Sequence, residues 1–185
     1  MLYAQLHLNL PAWVHEEVDA NADYSDDDAK MALAIRLSRL NVEQQSGGPF
    51  GAAVFSPTGR LIGVGVNRVV PHSASIAHAE MMAFATSQQR LQQCRLNAQG
   101  GPITLATSAQ PCCMCYGASV WAGIDRLLIG ARASDVESLA GFDEGPLPAD
   151  WIGELSKRGI AVVRDLRRDE ACAVLSDYAR SGSVY

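Results

Sequence analysis

Two short segments hold the residue types from which a hydrolytic metal centre can be built. His78-Ala79-Glu80 reads H-x-E, and Pro111-Cys112-Cys113-Met114-Cys115, about thirty residues on, reads P-C-x-x-C. One imidazole and two thiolates, from His78, Cys112 and Cys115, make a zinc site with three protein ligands, which leaves the fourth position to a water. Zinc lowers the pKa of such a water to about 7, so hydroxide is available at neutral pH. Glu80 is a carboxylate that the metal does not need. It is the expected proton carrier, taking the water's proton and handing it to the leaving group, a role worth roughly 10²–10⁴-fold.

Other readings of the cysteines explain less. Two buried core thiols or a redox C-x-x-C would leave His78 and Glu80 unexplained. A structural zinc site calls for a fourth ligand, and Cys94 and Cys172 stand alone without a second C-x-x-C. Cys113 is filler within the motif. His7, His15 and His72 have no partner pattern and are expected on the surface or in loops.

The spacing also says what must hold these side chains. Cys112 and Cys115 are three apart and share a face if a helix opens at Cys112, and Pro111 suits such a start. The positive end of that helix favours both thiolates. His78 and Glu80 are two apart, on nearly opposite sides of a regular helix, so they can share a site only at a helix edge.

Around these segments the pattern alternates. Ser25-Asp26-Asp27-Asp28 predicts a helix start with Ser25 as the cap. Met31, Ala34, Ile35, Leu37 and Leu40 carry that helix to about Gln45. Residues 51–55 and 61–66 predict an antiparallel hairpin across Ser56-Pro57-Thr58-Gly59. Helices are expected over 77–93, 112–122, 151–157 and 169–179, and strands over 103–107, 126–131 and 161–164. Strands alternating with helices after a hairpin point to a three-layer α/β domain whose later half is mostly parallel. Residues 1–24, with a short amphipathic helix near Trp13, precede a single domain over 25–185.

The bulk numbers narrow the partners. A net charge of −5 lacks the basic excess of a nucleic-acid-binding chain. Five cysteines, an odd number, fit metal binding in a reducing compartment better than a disulfide framework. Met1–Pro11 lacks the basic start of a signal peptide, and no apolar stretch approaches the ~20 residues of a membrane span. A cytoplasmic protein is expected.

Several blocks extend the pattern: Gly48-Pro49-Phe50-Gly51-Ala52, Gly65-Val66-Asn67, Ala77-His78-Ala79-Glu80, Thr107 through Cys115, and Ala140-Gly141-Phe142-Asp143-Glu144. With them the chain resembles the cytidine and deoxycytidylate deaminase superfamily of zinc enzymes, and within it the bacterial guanine deaminases. The resemblance implies an α/β/α fold with a five-stranded mixed sheet flanked by helices, and one zinc per subunit. It implies hydrolysis of guanine to xanthine and ammonia. Amino-s-triazines resemble guanine's six-membered ring, so slow deamination of ammeline-like compounds is a further expectation. Glu80 would return its proton to a ring nitrogen and the departing amine. Asn67 would hydrogen-bond the base, the backbone at Ala79 would lie close to its ring, and Phe50 would pack beside it. Glu144, or else Asp143, would read the guanine edge and relay a second proton. A homodimer is implied, with the C-terminal segment crossing to the partner so that Tyr185 covers the other subunit's site.

Two features depart from the family pattern. Gln110 stands where a glutamate is usual, and residues 1–24 have no counterpart. Asp169-Glu170-Ala171-Cys172 resembles the closing helix of tRNA adenosine deaminases, which keeps that activity as the first rival and a cytosine-type deaminase as the second. A non-catalytic zinc protein has no use for Glu80.

Overall fold

A computed structural model of the chain describes residues 5–181; Tyr185 lies outside them. The first three elements are α1 (Trp13–Glu17), α2 (Asp27–Glu43) and the strand β1 (Gly51–Phe55). They are followed by β2 (Leu61–Val66), α3 (Val69–His72), α4 (Ala79–Leu91), β3 (Thr104–Ala109) and α5 (Cys113–Ala122). The last are β4 (Arg126–Ala131), α6 (Ala133–Ala140), α7 (Trp151–Ser156), β5 (Ala161–Val163) and α8 (Arg168–Arg180).

The strands form one sheet in the order β2-β1-β3-β4-β5. β1 runs antiparallel to β2 and β3, and β3, β4 and β5 run parallel to one another. This is the expected mixed sheet. The period-two alternation of a strand sorts its side chains into two cores. Ala53, Phe55, Ala106 and Leu128 join Leu37 of α2, Val136 of α6 and Leu175 of α8 on one face. Ala52, Val54, Leu105, Leu127 and Ile129 join Phe84 of α4, Ala122 of α5 and Leu155 of α7 on the other. Every residue of β1 and β3 is buried, as expected of central strands covered on both faces. Leu37, Leu105 and Leu128 are among the fully buried side chains, each worth roughly 1.5–3 kcal/mol of burial.

β2 carries glycine at alternate positions where α4 lies against it. A Cβ on Gly65 would stand 2.0 Å from the Ala79 carbonyl oxygen and 2.4 Å from the Ala83 nitrogen. No larger residue fits there without moving α4, so the bare backbone of β2 sets how deeply the start of α4 sits. That start carries His78 and Glu80.

Some boundaries differ from the sequence reading. α2 is capped by Asp26, whose carboxylate accepts from the Ala29 N–H at 2.6 Å. Ser25 instead offers its backbone carbonyl to the Lys30 ammonium at 3.0 Å. α4 begins at Ala79 and α5 at Cys113, one or two residues later than expected, because His78 and Cys112 are extended cap residues. α3 and α6 were not anticipated. α6 is short, and its first turn is tied by Asp135, which accepts from the Arg132 N–H at 2.8 Å and pairs with Nε and Nη2 of Arg168.

The segment before α2 packs on the body. Val14 and Tyr24 are buried, and the Tyr24 ring meets Phe55 with centroids 5.3 Å apart. Among the described residues, no helix is long and apolar enough to cross a membrane.

Candidate active site

The two motif segments meet at the N-terminal ends of α4 and α5. His78 is the N-cap of α4 and Cys112 the N-cap of α5, and neither side chain makes a capping hydrogen bond. An N-cap side chain usually satisfies the first free N–H groups of its helix. Here both are left to point at each other, with Cys115 one turn into α5. His78 Nδ1 lies 3.5 Å from Cys112 Sγ and 3.7 Å from Cys115 Sγ. Zn–S bonds near 2.3 Å and Zn–N bonds near 2.0 Å at a tetrahedral angle require an N···S edge of about 3.5 Å. The three donor atoms lie within 4.8 Å of one another, so the triad fits a zinc ion.

The electrostatics point the same way. The Cys112 thiol is drawn down to about 4, first by the hydrogen bond from Cys115 and then by His78, against the cost of burial. Cys115 is pushed far up, first by that same bond, then by burial and by Glu80. Burial pulls the His78 imidazole down, but its bond to Cys112 and the charges of Glu80, Cys112 and Glu144 outweigh it and leave it raised. Burial, then the Cys112 charge, raises Glu80. Burial, then Glu80 and Cys112, pushes Glu144 up to about 8. With Cys112 charged, Cys115, Glu80 and Glu144 are crowded out of water beside it, and each is pushed toward its protonated form. A divalent cation replaces those protons and removes the conflict.

Beside the triad lies a cleft of about 120 Å³, lined by Phe50, Asn67, His78, Ala79, Glu80, Gln110, Cys112, Phe142, Asp143 and Glu144. Eight residues anticipated for the site share this cleft, and Cys115 lies behind it, fully buried. Asn67 is 1% exposed, and its Oδ1 accepts from the Gly48 and Val69 N–H groups at 3.4 and 3.3 Å. Those two donors decide which end of the amide accepts and which donates.

The pair left open at 143 and 144 is separated by the loop itself. Asp143 is exposed, and its carboxylate accepts from the Gly145 N–H at 2.8 Å. Glu144 is buried, and its carbonyl accepts from the Cys113 N–H at 2.9 Å, which fastens the loop to the first turn of α5.

Two lining residues had no assigned role. Phe142 meets Phe50 edge-on with centroids 5.2 Å apart and stacks on Tyr178 of α8 at 6.0 Å. Its signal was its place in the Gly-Phe-Asp-Glu block. Gln110 accepts from the Ala133 N–H at the start of α6 at 3.4 Å, so the amide there reaches a backbone donor that a carboxylate could equally hold.

Comparison with known proteins follows the same lines. Residues 24–131 match the cytidine and deoxycytidylate deaminase zinc-binding region. The chain belongs to the cytidine and deoxycytidylate deaminase family. It is a zinc-binding aminohydrolase. Its fold superposes on a solved guanine deaminase from Nitrosomonas europaea with TM-score 0.89 and 41% identity, covering 97% of this chain and 99% of that one. A related structure solved with 2,6-diaminopurine gives TM-score 0.91 and 42% identity over 98% of this chain and 96% of that one. The tRNA-specific adenosine deaminase of Buchnera aphidicola is 28% identical over 82% of this chain and 92% of its own length.

Proposed function

We propose that this deaminase hydrolyses guanine at its exocyclic amine, guanine and water giving xanthine and ammonia, with one zinc per subunit. The observation that carries the reading is the cleft itself. It is small, walled by the Phe50–Phe142 pair, and holds two buried carboxyl groups, Glu80 and Glu144, beside the metal triad. Aromatic faces favour a flat base, and a buried carboxyl pairs with ring N–H and amino groups that water no longer serves. The full-length similarity to a guanine deaminase supports the same substrate. The tRNA rival has a relative of its own, but a net charge of −5 offers little to a polyanion.

Zinc held by His78, Cys112 and Cys115 supplies Lewis acidity and acidifies a water at neutral pH. Glu80 takes the water's proton and delivers it to the ring nitrogen beside the attacked carbon. It then moves the second proton to the amine, which leaves as ammonia. Asn67 fixes the base by its oriented amide, with Ala79 leaving room for the ring and Phe50 against its face. Glu144 reads the far edge and relays a proton there, while Asp143 holds the loop turn. The protein works as a homodimer in this reading, with Tyr185 closing the partner's cleft. Amino-s-triazines, which share guanine's six-membered ring, are secondary substrates.

Ammonia release from guanine, cytosine, adenosine, ammeline and tRNA under one condition tests this. Guanine is expected to be fastest and ammeline slow but measurable. Turnover of tRNA with none of guanine overturns the proposal.

A further inference from the structure

Behind the base-binding side of the cleft lies a buried asparagine on α2 that the reaction scheme does not use. Asn41 is fully buried. Its Nδ2 donates to the Gly48 carbonyl at 2.8 Å and to the Asn67 carbonyl at 2.9 Å. Two carbonyl acceptors leave no choice about which end of the amide is nitrogen. Its Oδ1 therefore faces Ser46 Oγ, 2.7 Å away. Ser46 Oγ also receives the indole N–H of Trp13 at 3.0 Å. Indole can only donate, so the serine accepts from Trp13 and gives its own proton to Asn41. The result is a directed relay, Trp13 to Ser46 to Asn41, ending on two backbone carbonyls.

Those carbonyls lie on the two segments that carry the cleft residues Phe50 and Asn67. Gly48 also accepts from the Phe50 N–H at 2.8 Å, and Phe50 accepts from the Asn67 N–H at 3.1 Å. Arg68 donates to the Ser46 carbonyl and ties the same two loops again. Gly47 is required at the crossing, because a Cβ there would stand 1.9 Å from the Asn67 carbonyl oxygen and 2.7 Å from Asn41 Nδ2.

We infer that Asn41 is a positioning residue for substrate binding. It clamps the Phe50 and Asn67 segments into one wall, and Trp13, through Ser46, extends that clamp into the N-terminal segment. The inference rests on the proposed contact of Asn67 with the base. It gives residues before position 25 a part in substrate recognition rather than in folding alone.

The test is a double-mutant cycle on the zinc-loaded, full-length protein. The base is whichever of the five substrates above the wild type turns over fastest, so failure of the guanine reading leaves the cycle intact. Ser46→Ala, and separately Trp13→Phe, are combined with Asn67→Ala. Each single relay variant is expected to raise KM about fivefold, the effect of one lost hydrogen bond of roughly 1 kcal/mol. Each is expected to change kcat less than twofold and to keep full zinc. In the Asn67→Ala background neither adds to the rise, which marks action through Asn67. Asn41→Ala is expected to cost about 10²-fold in kcat/KM, as a displaced binding group does. Fold-changes that simply multiply with Asn67→Ala overturn the inference. So does an unchanged KM in both relay variants, or a loss of kcat and zinc with KM untouched.

Discussion

Glu80→Gln isolates the proton carrier without disturbing its frame. Glutamine has the shape of glutamate, so the packing of a side chain that is only 6% exposed is kept. The ligand triad does not include it. The loss is therefore the proton-transfer contribution alone, roughly 10²–10⁴-fold. The structure favours the upper half of that range. Of the other carboxyls in the cleft, Asp143 is exposed and engaged with Gly145, and Glu144 is carried by a separate loop, fastened through its backbone to α5. Neither stands in for a missing base. A fall of about 10³-fold in kcat, or roughly 4 kcal/mol of barrier, is expected with zinc still at one per subunit. Glu80→Asp withdraws the carboxylate by one methylene and is expected to lose about 10²-fold, the scale of a misplaced group. Steady-state ammonia release and elemental analysis of the purified variants are the assays. A Glu80→Gln enzyme within tenfold of wild type would refute the role. Loss of zinc along with activity would instead make Glu80 part of the metal's support.

Chelation should abolish turnover and lower the melting temperature, because zinc joins the cap of α4 to the first turn of α5. With zinc at ~1,000 times its Kd the stabilisation is about 4 kcal/mol, and added zinc should restore both readings. Gly65→Ala forces a methyl to within 2.0 Å of the Ala79 carbonyl; a loss of about 1–3 kcal/mol of stability and at least 10²-fold of activity is expected, measured by thermal melting and rate. Arg168 holds the Asp135 carboxyl down to about 2 from 3.8, so this pair stabilises the fold above pH 4 and ceases to as pH falls through 2. Asp135→Asn should cost about 1 kcal/mol at pH 7, allowing for the half-exposed arginine, with the gap to wild type closing near pH 2 in denaturant titrations.

The reaction class was legible because its parts are local. Metal ligands and proton carrier lie within two short segments, and the spacing inside each is set by the first turn of a helix. Even the demand that His78 and Glu80 sit at a helix edge follows from their separation of two, and His78 is indeed the residue before α4. The sheet was legible for a similar reason: two β-rich runs flank the Ser56-Pro57-Thr58-Gly59 turn, and strands alternate with helices after them. α6 escaped notice because it is only eight residues long and buries only Val136 and Ala140. Its stability comes from Arg168, distant in sequence. The cap of α2 lies one residue later than expected because Ser25 and Asp26 are equally good caps, and the Asp26 carboxylate is the one that reaches the Ala29 N–H.

What the sequence alone determined is therefore the zinc, the hydrolytic chemistry and the succession of elements other than α3 and α6, all of which follow from near neighbours. The tertiary structure decided which side chains share the cleft. It turned Asp143 outward and Glu144 inward, set Phe142 against Phe50, and ran a relay from Trp13 through Asn41 to Asn67. These contacts join residues far apart along the chain. Whether they meet depends on how α2, α4 and α8 pack on the sheet, which no spacing within one segment can state.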